Sequence, residues 1–141
     1  MFGGILMRAQ VGEVTTIDPT KGTARVKIEE QDNKISAPLR VLYRGTLKNK
    51  DFWMPKIGEH VLCLFTKQSE GFIIGAFYSG GTQPPCSEPE KRCIEFEDGS
   101  LIDYDAKTHT LHVNIVGEIN IQTKGSVTVN GQLLSPFGST S

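Results

Sequence analysis

The sequence lacks an excess of charge of either sign: 15 lysines and arginines stand against 16 aspartates and glutamates, for a net charge of -1. Without a global field, long-range attraction to nucleic acid or an anionic membrane is weak. A disulfide framework is also missing. The three cysteines are odd in number and irregularly spaced, as expected of a protein made in a reducing cytosol. Cys63 sits inside an apolar run and reads as core. Cys86 and Cys93 flank a proline-rich stretch, where a pair or a shared metal is conceivable but free thiols are the favoured reading. No apolar run is long enough to span a membrane. The opening MFGGILMRAQ is interrupted by Arg8 and Gln10, so neither a signal peptide nor a span is expected there. Export would then require lysis or a dedicated machine. Catalytic constellations are absent too: no serine, cysteine or histidine grouping, phosphate-binding glycine loop or metal-ligand spacing stands out. No enzymatic activity, cofactor or metal is expected.

What the chain has in quantity is glycine, at 15 residues, with 7 prolines and frequent valine, isoleucine and threonine. That composition favours an all-β protein with many turns. A length of 141 residues suits one ordinary domain, or a small domain with an appendage that finds its core elsewhere. About five strands are expected between Ala9 and Tyr78. AQVGEVTTI turns at Asp18-Pro19-Thr20-Lys21-Gly22 into TARVKIEE, and Ile35 to Val41 gives a third strand with Pro38 at a bulge or edge. A loop from Tyr43 to Gly58 leads to EHVLCLFT and GFIIGAFY, which read as apolar on both faces, as strands central to a small barrel would be. Five strands with a long third connection suggest an OB-fold-like Greek-key barrel over residues 1–79.

GGTQPPCSEPEKR, residues 80–92, has no core pattern and reads as a semi-rigid linker. Residues 93–141 form the third segment. It opens with a hairpin around Asp98-Gly99, expected as a type I′ turn. Short alternating runs follow: Leu111, Val113 and Ile115; Ile119 and Ile121; Val127 and Val129. Breaks fall at Gly117, Lys124-Gly125 and Asn130-Gly131. A lone meander this short is marginal in water unless another surface covers its apolar side. It must pack on the barrel, or identical copies must bury it along a shared axis; the linker favours the second.

Four stretches, in order, carry a resemblance: GEVTTIDPTKGTARVKI, FWMPKIGEHVLCLF, GFIIGAFYSGGTQPP and FEDGSLIDYDAKTHTLHV. Together they resemble the baseplate assembly protein V family, the central spike of contractile phage tails, over roughly Val11 to Asn130. The strongest local matches are Trp53-x-Pro55-x-x-Gly58-Glu59-x-Val61 and the strand Gly71 to Tyr78. The resemblance implies a homotrimer in which three barrels form a collar and three C-terminal segments intertwine as a triple-stranded β-helix. Ile94, Phe96, Leu111, Val113, Ile115, Ile119, Ile121, Val127 and Val129 would then line the trimer core. It also implies a place at the tip of the tail tube beneath a baseplate hub protein, as part of a virion or tailocin assembled in the bacterial cytoplasm, released by lysis and driven through the target cell envelope.

Other features have blander readings beside sharper ones. Trp53, Pro55, Gly58 and Glu59 read as a loop anchor or docking element, with Trp53 covering the barrel end. Arg40, Arg44, Lys48, Lys50 and Lys56, with Tyr43, Phe52 and Trp53 nearby, allow a monomeric OB-fold module binding single-stranded nucleic acid. The balanced charge argues against it, and no nucleic acid is expected. A secreted adhesion domain suffers from the missing signal peptide. His109 and His112 are three apart, so in a strand they face opposite sides and do not converge on one ion; His112 should face solvent. Glu95, Glu97, Asp98, Asp103 and Asp105 are expected on the outer face of a strand pair, where they aid solubility. Leu133, Leu134 and Phe137 form a possible tip, closing the β-helix or offering a platform to a separate tip protein.

Overall fold

The structure, a computed structural model, describes residues 7–134. It divides between Pro84 and Pro85 into two units. Apart from one 3-10 turn at Glu29–Gln31, the regular structure described is all strand.

The first unit is a closed five-stranded barrel. Its strands are β1 (Arg8–Asp18), β2 (Thr23–Ile28), a short β3 (Lys34–Ile35), β4 (Leu39–Val41), and, after a small hairpin of β5 (Thr46–Leu47) and β6 (Asn49–Lys50), β7 (His60–Phe65) and β8 (Gly71–Ala76). The ladder runs β1-β7-β8-β4-β2 and closes by β2 pairing with β1; β4 and β8 are parallel and the other pairs antiparallel. This is the strand order of an OB-fold-like barrel. Closure depends on β1, long enough to serve two neighbours. Arg8 to Glu13 pairs with β7, and Gly12 to Asp18 pairs with β2 around a bulge between Val14 and Thr16 that bends the strand. Gly12 belongs to both ladders. A Cβ there would run into the Val26 side chain and stand 2.5 Å from the Lys27 carbonyl oxygen, so the position admits no side chain.

Inside lie Val14, Ala24, Val26, Ile28, Leu39, Val61, Cys63, Phe65 and Ile73, with Ile17 and Val41 packed against them. Burial pushes the Cys63 thiol up to about 11, so Cys63 behaves as a small core residue. The expected turn at Asp18 to Gly22 is present: Thr20 donates to the Asp18 carboxylate at 2.6 Å, and Gly22 takes a φ of +67°. Two expectations are corrected. The stretch from Ile35 to Val41 is not one strand, because Pro38 divides it into β3 and β4. Nor are β7 and β8 buried on both faces. Val61, Cys63, Phe65 and Ile73 point inward while Leu62 and Ile74 are exposed, since a single-layered barrel has only one interior.

In the second unit β9 (Lys91–Glu95), β10 (Leu101–Asp105) and β11 (Thr110–Asn114) form an antiparallel sheet in the order β11-β10-β9. A separate hairpin joins β12 (Thr128–Val129) to β13 (Gln132–Leu133) through Asn130 and Gly131, both at positive φ, as a two-residue type I′ turn requires. The turn between β9 and β10 is not the expected type I′. Only Gly99 has positive φ; Gly99 donates to the Phe96 carbonyl and Phe96 donates to the Ser100 carbonyl, each at 2.9 Å. This is a three-residue loop with glycine in the left-handed position. The Asp98 carboxylate, accepting the Ser100 N–H at 2.8 Å, fixes the loop and holds its own pKa below the usual range.

Candidate interaction surfaces

The register of the second unit sorts its side chains onto two faces. Ile94, Ile102 and Val113 stand in one row across the three strands, and Arg92, Tyr104 and Leu111 in the next. The opposite face carries Lys91, Cys93, Glu95, Leu101, Asp103, Asp105, Thr110, His112 and Asn114. One side of the sheet is therefore apolar, apart from the Arg92 head and the tyrosine hydroxyl. It is also uncovered: Ile94, Phe96, Tyr104, Leu111 and Val113 are all exposed in the single chain. Among the described residues of this unit no apolar side chain is buried; only Ser100 and Asp103 are.

Of the residues expected to line a trimer core, Ile94, Leu111 and Val113 are thus brought onto one face. Ile102 and Tyr104 belong with them and were missed, although the aspartates at 103 and 105 already marked the alternate face of that strand. Ile115 is half-buried just past β11, where Val116 donates to the Ser100 hydroxyl at 3.0 Å. Residues 115–127 form no strand in the single chain, and Ile119 and Ile121 are 59% and 67% exposed. Val127 is half-buried, with its carbonyl bonded to the Leu134 N–H at 2.8 Å, and Val129 is exposed in β12. Leu133 and Leu134 are exposed; Phe137 lies outside the described residues.

Of the carboxylates, Glu95, Asp103 and Asp105 stand on the polar face of the sheet as alternation expects, whereas Glu97 and Asp98 lie in the loop between β9 and β10 and not on a strand. Asp103 is only 8% exposed, because it lies beneath His112, whose Nδ1 is 3.1 Å from the Asp103 Oδ1. The His112 ring is largely solvent-exposed, and His109 sits in the preceding turn at a φ of +57°. No group of three or more histidine, cysteine or acidic residues is placed to hold a metal ion among the described residues.

On the barrel, β4 and β8 diverge after Ile73 and leave a groove of about 470 Å³ lined by Leu42, Tyr43, Trp53, Pro55, Ile74 and their neighbours. Pro55 is the anchor of this loop, buried against the barrel. Gly58, at a φ of +94°, donates to the Val14 carbonyl at 2.8 Å, and Glu59 caps the turn by accepting the Lys56 N–H on its carboxylate at 3.0 Å. Trp53 is 57% exposed and lines this groove together with Val41, Val61 and Ile73. The basic cluster is partly consumed within the loop. Arg44 makes a two-pronged pair with Asp51 at 2.9 and 3.1 Å, which raises the guanidinium and lowers the carboxyl pKa through the shared hydrogen bonds. Tyr43 and Phe52 stack on each other at 6.1 Å. Outside the barrel, register aligns Val11 with Leu62 across β1 and β7, and with the exposed Ile74 these make an apolar strip.

The chain is similar to a protein named "Spike protein" from Escherichia phage P2. The two are 30% identical over 83 residues, which are 57% of this chain and 39% of that protein. The chain therefore spans less than half the length of the curated relative it matches. No family model matches the chain.

Proposed function

We propose that this chain is a structural, non-enzymatic protein of a phage tail spike: a homotrimer that caps the tube of a contractile tail or tailocin and leads penetration of the target envelope. The likeness to the phage P2 spike protein supports a tail-spike role in general, and a virion component as the setting. The finer reading is carried by one observation. The second unit has an apolar face and no apolar core of its own, whereas the barrel has a complete one. A three-stranded sheet with one bare apolar side is marginal alone, and identical copies around a shared axis supply the cover that is missing.

On this reading Ile94, Leu111 and Val113 start the shared core, and Ile119, Ile121 and Val129 continue it through strands that form between chains. The apolar strip and the groove beside Trp53 are the surfaces left on the barrel for the baseplate hub, and Leu133 and Leu134 lie toward the end that a separate tip protein would cap. Strands hydrogen-bonded between chains around an apolar axis resist bending under an axial load, which suits a spike.

The test is the absolute mass in solution by light scattering, for the full chain and for a version ending at Pro84. A trimer that falls to a monomeric, folded barrel on truncation is the expected result. A full chain that is monomeric at micromolar concentration would overturn the proposal.

A further inference from the structure

At one end of the barrel β1 begins while β2 and β7 finish, with Arg8 paired opposite Phe65. A small pocket of about 70 Å³ lies there. At its base are Ile28 and Phe65, both buried, and its walls carry Arg8, Lys34, Gln68 and Ser69. All four of those side chains can donate hydrogen bonds, and two are cations. No aspartate or glutamate lines the pocket, and among the described residues neither Arg8 nor Lys34 has a carboxylate partner. The walls are set by contacts that leave these donors unused. The Arg8 guanidinium carbon lies 5.4 Å from the centre of the Phe65 ring, which steadies the group with its N–H bonds still uncommitted. Asp32 and Asn33, at φ of +54° and +60°, turn the chain into β3 just ahead of Lys34. The Ser36 hydroxyl fastens that segment to the barrel, accepting the Val26 N–H at 3.0 Å and donating to the Ala37 carbonyl at 2.7 Å. In the loop after β7 the Thr66 and Lys67 N–H groups both donate to the Glu70 carbonyl, at 3.0 and 3.3 Å, and so close it around Gln68 and Ser69. The carboxylate of that loop, Glu70, is engaged by Lys67 at 3.7 Å.

We propose that this pocket binds a single phosphate group. Its volume is the share of about two molecules of liquid water, which admits one tetrahedral oxyanion and leaves no room for a sugar or base beside it. Donors without a carboxylate among them select an anion over a cation. The forked guanidinium of Arg8 matches two phosphate oxygens at once, and the Lys34 ammonium adds a second, compact charge. The apolar base keeps water from beneath the anion, and charged hydrogen bonds are stronger where water is excluded. The chain's balanced total does not oppose this, because the charge that acts on a bound ion is the charge within several ångströms of it. The phosphate has two sources: the free ion, or a phosphate monoester at the end of a larger molecule whose remainder stays outside the pocket. Both present the same oxygens to the same donors.

The experiment titrates the isotope-labelled full chain with sodium phosphate at neutral pH and constant ionic strength, following the backbone amides by NMR. Saturable shifts centred on Arg8, Lys34, Gln68 and Ser69 are the expected result. Lys34→Gln, in a short exposed edge strand, should raise the half-saturation concentration about tenfold, the loss of one charge-assisted hydrogen bond. Arg8→Gln should raise it at least as much, and if that variant loosens β1 the lysine variant carries the test. Lys21→Gln, in the turn at the other end of β1, should leave it unchanged. Glycerol phosphate in place of the inorganic ion separates the two sources: equal shifts mean a phosphate on a larger molecule is accepted, and shifts with the inorganic ion alone mean the free ion is the ligand. No saturation with either, shifts spread over lysines across the chain, or an equal weakening by Lys21→Gln would overturn the proposal.

Discussion

If the proposed trimer forms, Ile119→Ala measures the cover that other copies provide almost free of effects within one chain. Ile119 is 59% exposed and lies in a stretch that forms no strand in the single chain, so truncating it removes little from the folded monomer. Full burial of an isoleucine side chain contributes at most about 3 kcal/mol. Covering the exposed part, less what alanine's own carbon would retain, contributes about 1–1.5 kcal/mol per chain. Three equivalent copies bring this to about 3–4.5 kcal/mol per trimer, or about two to three orders of magnitude in the trimerisation constant. Sedimentation equilibrium over a dilution series reads that constant, and the urea midpoint of dissociation replaces it if the native trimer is too tight to dilute apart. Ile119→Asp goes further, because three carboxylates would be desolvated close together near the axis, and it should abolish assembly while the barrel still melts as before. An alanine variant that associates as tightly as the native chain, or an aspartate variant that is fully trimeric, would refute the reasoning.

Leu39→Ala removes the side chain of a fully buried barrel residue and should cost about 2–5 kcal/mol of barrel stability in denaturant unfolding; a loss below about 1 kcal/mol would mean the site collapses or is not core. Gly71→Ala places a Cβ 2.6 Å from the Leu64 carbonyl oxygen and 3.1 Å from the Phe65 Cα, both backbone atoms, and should destabilise the barrel by about 1–3 kcal/mol, a neutral or raised melting temperature being the contrary result. The Asp51 carboxyl is held below its ordinary 3.8 by the Arg44 hydrogen bond, so the pair's contribution is present above that value and is lost as pH falls through the depressed one. In a carboxyl NMR titration Arg44→Gln should move the Asp51 midpoint up toward 3.8, and an unmoved midpoint would show that the pair does not form in solution.

The barrel was legible because each of its strands carries its own evidence. TARVKI alternates with the period of a half-buried strand, HVLCLF is a short continuous apolar run, and proline or glycine marks the turns around them. What the sequence did not disclose was the number of interiors. Leu62 and Ile74 read as core from composition, yet a closed single layer has no second side to bury them, so they remain on the surface. The loop before β7 is held by several contacts at once, the buried Pro55, the Gly58 and Glu59 hydrogen bonds and the Arg44–Asp51 pair, and Trp53 lines an open groove beside it. In the second unit the turn types escaped notice, since Asp-Gly serves both a two-residue and a three-residue loop and only the hydrogen bond from Phe96 to Ser100 decides between them.

The two halves obey one rule with opposite outcomes. Alternating apolar residues commit a strand to having something on one side. In the barrel that commitment is met within the chain, because β1 is long and bent enough to pair at both ends of the sheet and enclose an interior. In the second unit the same alternation spans three strands and continues past Asn114, but the ladder stops there: residues 115–127 enter no strand, and Ile119 and Ile121 are exposed. Folding the sheet back on itself would not solve both difficulties, since three strands are too few to close. On the proposed trimeric reading, copies of the same segment would solve them together, as each offers an equal apolar face for the core and an equal unpaired backbone for the ladder. Such an arrangement has no single-chain intermediate with a dry core. Unravelling one chain would expose the others, so in the proposed spike an axial push would be shared by all the copies rather than borne by one.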